Sequence, residues 1–377
     1  MTTPPIKVVF CWTESSGYMA ECWRALAARP GVDLHVIHLE SLSGRPIPFD
    51  IDRLMNGISS EKFQRSRPNL DEYLFGAVEA RQPDVIVVCG WLFWPYTRLL
   101  SAKPFSGVAK ILGMDSPWRG TWAQRLARFR LSNVVSNVDL FITASDRTTE
   151  YARRIGVPDR QIRSGYYGFD FESFSAAARK RPTPWPRQFL FTARYAPEKN
   201  VGTLLRAYER YRASVPNPWG LTCVGAGPDA HLIRNAAGVV DRGFVQPDEL
   251  PAMFAEHGAF VLPSTFEPWG VVIAEAAGAG LPVICSSACG AAVDIVRPYF
   301  NGLVVAPDDA AGLTRAFTWI HEHESELATM GRRGQGLAEA FSAESWAVRW
   351  HNYLFEAQAS KQEDRSHHVR HRRNPDA

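Results

Sequence analysis

No stretch of the 377 residues approaches the ~18 to 20 uncharged apolar positions needed to cross a bilayer, and the opening MTTPPIKVVFCW lacks the basic-then-apolar plan of a signal peptide. A cytoplasmic protein is the expectation. Cysteine is sparse: Cys11, Cys22, Cys89, Cys223, Cys285 and Cys289. Three of them end apolar strand-like runs, which suits buried thiols in a reducing compartment. Cys285 and Cys289 have no second Cys/His pair close in sequence, which argues against zinc. Charge of one sign is also lacking, since 42 Lys+Arg against 39 Asp+Glu leave a net +3, too little to imply a nucleic-acid partner. There is no G-x-S-x-G nucleophile turn and no repeat of solenoid period. With 46% hydrophobic and 21% charged residues, and 28 Gly and 26 Pro scattered throughout, the chain is neither disordered, collagenous nor a coiled coil.

What is present is alternation. Apolar runs of strand length, at residues 8–11, 34–37, 85–89, 111–113 and 140–143, are each followed by helical or loop segments. That pattern specifies a parallel sheet covered by helices. At ~150 residues per domain the length calls for two or three domains, and two comparable ones are the economical reading. The stretch RKRPTPWPR, residues 179–187, has three prolines and four basic residues and reads as a linker between them. Strands at 189–192, 221–224, 259–262 and 282–285 then alternate with helices in a second doubly wound sheet. The expectation is therefore α/β, with two Rossmann-like domains facing across a cleft: 1–178, then the linker, then 188–342. A helix over 343–360 packs back on the first domain, and a polar tail, 361–377, is disordered.

The densest chemistry lies in STFEPWGVVIAEAAGAGLPV, residues 264–283. A turn after a buried strand opens a helix of small residues, so free N–H groups near Trp269, Gly270 and Val271 form an anion site. Glu267 before the helix and Glu275 within it are placed to accept hydrogen bonds from the vicinal hydroxyls of a sugar or ribose. Taken alone, each is more often a solvated surface carboxylate. The E-x7-E spacing from Glu267 to Glu275, with its S-x-x-E-P-x-G start and closing G-x-P-V, resembles the retaining, GT-B-fold nucleotide-sugar glycosyltransferases of glycosyltransferase family 4. The resemblance covers the whole second domain and, more weakly, the two-domain plan.

It implies that Glu267 contacts the donor sugar, that Glu275 binds the ribose, and that the amides between them hold sugar and phosphate. In FTARYAPEKN, Arg194 and Lys199 follow the first strand of the second domain. Two cations there can neutralise a diphosphate leaving group without a metal, and the family uses such a pair for that purpose. The resemblance further places Gly225 in a loop beneath the nucleotide and Gly243, Phe244 and Val245 in a turn that contacts the base. It places Gly17 in the loop over the donor, although an ordinary strand-to-helix turn fits as well. Where the family has His-Asp, this chain has Met114 and Asp115. Asp115 is left either to make the sugar contact or to cap a helix or form a salt bridge.

Function follows as an expectation: a metal-independent, cofactor-free hexosyltransferase that takes a nucleotide-diphosphate sugar to a glycan or lipid-linked acceptor hydroxyl, in bacterial-type polysaccharide or lipopolysaccharide assembly. Family resemblance also implies same-face attack, with the leaving phosphate taking the acceptor proton. Two other readings stay open. Residues 225–230 match G-x-G-x-x-A with Asp241 downstream, as in a nicotinamide-dependent oxidoreductase. A non-catalytic nucleotide-sugar-binding protein would keep the same pocket. Asp50 and Asp52 form a D-x-D, which reads as a chance match rather than a metal site. His35 and His38 alternate along a strand and read as structural. Residues 119–130 hold Arg119, Arg125, Arg128 and Arg130, with Trp122, Leu126 and Phe129 at helical spacing. That is either one side of a core or a peripheral contact with anionic lipid.

Overall fold

The computed structural model describes residues 4–40 and 49–373, with side chains described to residue 363. The chain divides into two compact units, one of Met1–Tyr167 with Glu344–Ala377 and the other of Gly168–Ala343. Each is built on one all-parallel sheet. A strand covered by helices on both faces has no solvated side to make polar, which is why these strands read as unbroken apolar runs.

In the first unit the strands are Ile6–Trp12 (β1), Val32–Leu39 (β2), Ser60–Phe63 (β3), Val85–Val88 (β4), Ala109–Met114 (β5), Leu140–Thr143 (β6) and Ile162–Ser164 (β7), in the order β3-β2-β1-β4-β5-β6-β7. The order reverses between β1 and β4. The helix Ala343–Arg373 covers one side. Its Trp346 and Trp350 stack at 4.9 Å, and Trp350 lies 5.5 Å from Phe10. Their Nε1–H groups donate to the carbonyls of Tyr166 (2.9 Å) and Gly165 (3.0 Å). Ion pairs from Arg29 to Glu344 (2.8 Å) and from Lys361 to Asp139 (3.3 Å) fix the helix further. Each buried indole contributes on the order of 3 kcal/mol, so the aromatic contacts outweigh the ion pairs.

In the second unit Gln188–Thr192 (β8), Gly220–Val224 (β9), Val239–Asp241 (β10), Ala259–Leu262 (β11), Val283–Ser286 (β12) and Gly302–Val305 (β13) lie in the order β10-β9-β8-β11-β12-β13. Phe189 anchors the core, 5.0 Å from Trp219 and 4.6 Å from Phe317. The order reverses between β8 and β11. At such a reversal the outgoing loops diverge and leave a crevice at the carboxyl ends of the two strands.

Two domain expectations need correcting. The second unit begins at Gly168 rather than near 188, and residues 179–187 are part of it. Phe174 packs edge-on against Phe254 at 5.3 Å. Arg181 donates to the carbonyls of Ala279 (2.7 Å), His257 (3.1 Å), Gly280 (3.1 Å) and Phe254 (3.4 Å), and burial lowers its pKa to about 10. Trp185 donates to the Gly258 carbonyl at 2.9 Å. Prolines exclude helix and central strand, but they do not prevent anchoring by side chains. The last helix also runs on to Arg373, through most of the tail read as disordered. Lys, Gln, Glu and Arg extend an established helix at little cost. Residues 374–377 lie outside the described residues. Among the described residues no helix is long and apolar enough to cross a membrane.

Candidate functional site

β8 and β11, the strands flanking the reversal, lead into the two segments richest in charged candidates. After β8 the chain makes a 3-10 turn, Pro197–Lys199, ended by Asn200 in the left-handed region (φ 61°). The Thr265 N–H donates to the Glu198 carbonyl (2.8 Å), and Asn200 Nδ2 donates to the Pro263 carbonyl (3.2 Å), so the two loops are stitched together. Across this seam Lys199 Nζ donates to Glu267 Oε2, with the side chains only 16% and 11% exposed. Arg194 stands at the rim, exposed, and donates to Glu198 Oε1 at 2.5 Å. Although burial raises the Glu198 pKa, hydrogen bonds from its own backbone and from Arg194 leave it below the ordinary value. Both cations singled out by the sequence therefore already have carboxylate partners.

Gly270 adopts φ 98° and opens the helix Val271–Gly278. Glycine is required there, because a side chain would be strained at that φ and a Cβ would stand 3.0 Å from Glu267 Cγ. Among the described residues the N–H groups of Val271 and Val272 have no acceptor, leaving two donors and the positive end of a helix dipole beside the Lys199–Glu267 pair. The Trp269 side chain turns inward: it is buried, donates from Nε1 to Asp294 Oδ2 at 2.6 Å and packs 5.1 Å from Phe341. Its indole holds the turn in shape.

Glu275 lies in the same helix, half-buried, and its carboxyl has no hydrogen bond or ion pair among the described residues. Burial first, and the Asp170 carboxylate second, push its pKa up to about 7. Asp170 itself caps the helix Phe171–Ala178 by accepting the Ser173 N–H at 3.0 Å. Glu267 is thus clamped by a cation, while Glu275 is a carboxyl in want of donors.

The Gly225 and Gly227 turn packs against protein backbone. A Cβ at Gly225 would sit 1.9 Å from the Ala193 carbonyl oxygen, and one at Gly227 would sit 2.2 Å from that of Tyr195. The Tyr195 N–H donates to the Ala226 carbonyl (2.9 Å) and the Gly225 N–H to the Gly243 carbonyl (2.8 Å). Asp241, the ribose carboxylate of the dinucleotide reading, accepts from the Tyr195 hydroxyl and from the Gly243 N–H, both at 2.9 Å. These contacts engage the Gly225 N–H and Asp241 Oδ1, two of the groups a dinucleotide would use. They also bring Gly243, and with it the half-buried Phe244 and Val245, beside the loop after β8. At the ends of β8 and β11, Thr192 and Ser264 have buried hydroxyls without partners among the described residues.

In the first unit Gly17 opens the helix Gly17–Ala27 directly after the β1 turn, where the Ser15 and Ser16 hydroxyls are buried and have no partner among the described residues. Asp115 follows β5. Among the described residues it neither caps a helix nor forms a salt bridge: Oδ2 accepts from the Tyr167 hydroxyl at 3.0 Å and Oδ1 from the Ser116 hydroxyl at 3.4 Å. Met114 is buried in the core. Asp50 caps the short helix Ile51–Leu54, and Asp52 pairs with Lys62 at 2.8 Å. His35 and His38 are buried, and all six cysteines are free. Sequence reasoning passed over Asp170, which biases the site from outside every motif, and gave no role there to Tyr195 and Glu198, which lie inside FTARYAPEKN and brace it.

Two doubly wound parallel sheets, each reversing its strand order once, define an α/β protein of GT-B fold. Residues 13–168 match the glycosyl transferase 4-like domain, and residues 186–323 match the glycosyl transferases group 1 family. A glycogen synthase of Mycobacterium tuberculosis is 30% identical over 256 residues, 64% of this chain; the chain spans 61% of that relative's length. A GDP-mannose-dependent alpha-(1-6)-phosphatidylinositol monomannoside mannosyltransferase of the same species is 35% identical over 264 residues, covering 64% of this chain and 68% of that protein. Among solved structures, Anabaena HepE in complex with UDP superposes with a TM-score of 0.74 at 19% identity, over 93% of this chain and all of that one. Sucrose-phosphate synthase from Thermosynechococcus elongatus gives 0.71 at 20% identity, over 94% of this chain and all of that one. The chain belongs to the GT-B glycosyltransferases of family-4 type.

Proposed function

We propose that this chain moves a hexose from a nucleotide-diphosphate sugar to a glycan or lipid-linked acceptor hydroxyl, with retention and without a metal, in bacterial-type polysaccharide or lipopolysaccharide assembly. The observation that carries the reading is the Lys199–Glu267 pair beside the open N–H groups of Val271 and Val272, at the β8/β11 reversal. A nucleotide-sugar donor is supported by relatives: HepE was solved with UDP and with UDP-glucose, and the mycobacterial mannosyltransferase is GDP-mannose-dependent.

The barrier to transfer lies in the charge that develops as the bond between the sugar and the diphosphate breaks. An ammonium has three N–H donors, so Lys199 can keep Glu267 and still donate to a phosphate oxygen. Arg194 at the rim adds a planar fork that its single contact with Glu198 does not exhaust. With the helix start at Gly270, these groups stabilise the departing diphosphate as a cation would. Glu267 orients Lys199 and accepts a sugar hydroxyl, while Glu275 gains the donors it lacks from the ribose. The acceptor oxygen bonds to the anomeric carbon on the face the phosphate leaves, and its proton passes to the leaving phosphate. In the first unit the Tyr167 hydroxyl holds Asp115, whose carboxylate can accept a further hydrogen bond from a hydroxyl.

Thermal unfolding with a panel of nucleotide sugars tests this directly. Donor at a hundred times its Kd adds about 2.7 kcal/mol of stability, and only the correct base and sugar should do so. Failure of every nucleotide sugar to raise the Tm would sink the proposal. Transfer undiminished by a chelator tests metal independence.

A further inference from the structure

The helix Trp122–Arg130 of the first unit carries Trp122, Leu126 and Phe129 at helical spacing, and all three stand in solvent, 78%, 54% and 76% exposed. Ala127 is the buried residue of this helix, in a cluster with Val134 and Phe93. Leu92 and Trp94, flanking Phe93, are also exposed. The apolar stripe is therefore not core. Nor is it a frayed end: Thr121 caps the helix by accepting the Gln124 N–H (3.3 Å), and the Gln124 amide ties back to the Pro117 carbonyl (2.9 Å) and the Arg119 N–H (2.7 Å).

Charge decides what such a face meets. Arg119, Arg125, Arg128 and Arg130 are exposed around it, and no acidic residue occurs from Arg119 to Val138. Four positive charges on one short segment exceed the net +3 of the whole chain. Arg125, Arg128 and Arg130 form no ion pair among the described residues, and the Arg125 guanidinium lies 5.1 Å from the Trp122 ring centroid. Arginine and aromatic rings both occur at protein interfaces, but a run of arginines without an acidic neighbour requires a surface of opposite charge. An anionic lipid surface takes aromatic rings at headgroup level and arginines at the phosphates.

We propose that the helix Trp122–Arg130 docks this protein on an anionic lipid bilayer, lying in the plane of the interface with Trp122, Leu126 and Phe129 inserted and the arginines among the phosphates. Docking does not depend on the transfer reaction. If both hold, a lipid-linked acceptor arrives on the surface that already holds the enzyme.

Co-sedimentation of the full chain with vesicles of phosphatidylglycerol and phosphatidylcholine in equal parts, against phosphatidylcholine alone, is the test. The chain should pellet with the anionic vesicles and not with the neutral ones, and high salt should weaken binding because the Debye length shrinks to about 3 Å at 1 M. Trp122→Ser with Phe129→Ser, and separately Arg125→Glu with Arg128→Glu, should each lower vesicle affinity by about tenfold or more. Both variants should keep the parental Tm and nucleotide-induced stabilisation, because the altered side chains are exposed. Equal binding to both vesicle types, no binding to either, or full binding by the variants would overturn the proposal. So would a dimer seen by light scattering that Trp122→Ser with Phe129→Ser dissolves without any vesicle binding, since the face would then belong to a second copy.

Discussion

Lys199 and Glu267, 68 residues apart in sequence, form a shielded ion pair across the two loops that leave β8 and β11. A loop lysine ordinarily contributes little to stability, but this one neutralises a carboxylate that water scarcely reaches. Lys199→Met should therefore destabilise the fold by about 3 kcal/mol and lower turnover by about a hundredfold or more. Adding Glu267→Gln should restore the Tm without restoring turnover. A double variant as unstable as the single one would show that the pair is not what the lysine supports.

Arg194 makes the contrast. Its ion pair with Glu198 is exposed, so Arg194→Ala should shift stability by no more than about 0.5 kcal/mol while turnover falls by about a hundredfold. Thermal unfolding beside a transfer assay separates the two effects, and unchanged transfer would remove Arg194 from the diphosphate site.

The raised Glu275 pKa has a definite sign. The folded state holds this proton more tightly than the unfolded chain does, so stability is lost as pH rises from about 4.5 to about 7 and the loss is complete above that. Glu275→Gln should remove this slope and make the protein more stable at pH 8 by about 2 to 3 kcal/mol. Nucleotide affinity should move the other way, weakening in the parent below pH 7 and in the variant at every pH, as calorimetry can establish. A slope that survives in Glu275→Gln would assign the titration to another group.

Gly227→Ala would drive a Cβ toward the Tyr195 carbonyl and displace the Arg194-bearing loop. A loss of about 3 kcal/mol and of nucleotide-induced stabilisation is expected, whereas Tyr195→Phe should cost about 1 kcal/mol and keep nucleotide binding. Urea unfolding with and without nucleotide distinguishes support of the loop from direct ligand contact.

Arg181→Met removes the donors that satisfy four carbonyls and should cost about 2 to 3 kcal/mol in urea unfolding. A free linker would show no such cost.

The two sheets were visible in the sequence because fully covered parallel strands announce themselves as apolar runs. The edge strands β3, β7, β10 and β13 were not: SEKF, IRS and VVD are short and partly solvated, and at an edge only one neighbour selects for pattern. The helix Glu324–Ala338, with two histidines just before it and four arginine or glycine positions within its middle, likewise gave a weak periodicity. In the candidate site, motif spacing singled out Lys199, Glu267, Gly270 and Glu275, since turns and helix starts leave local signals. It did not reveal that Lys199 is bound to Glu267, that Asp170 biases Glu275 or that Tyr167 holds Asp115. Those partners come from distant segments, and pairing of that kind is written in tertiary geometry alone. The exposed face of Trp122–Arg130 belongs to the same class, because helical spacing shows that a stripe exists and not whether anything covers it.

The tryptophans that cover Phe10 are encoded after the whole of the second unit. During translation the stretch Gly168–Ala343 emerges as one uninterrupted piece able to fold as it leaves the ribosome, while the earlier-made first sheet still lacks Trp346 and Trp350. The nascent protein must carry an uncovered aromatic surface through most of its synthesis, and the half made first is the half finished last.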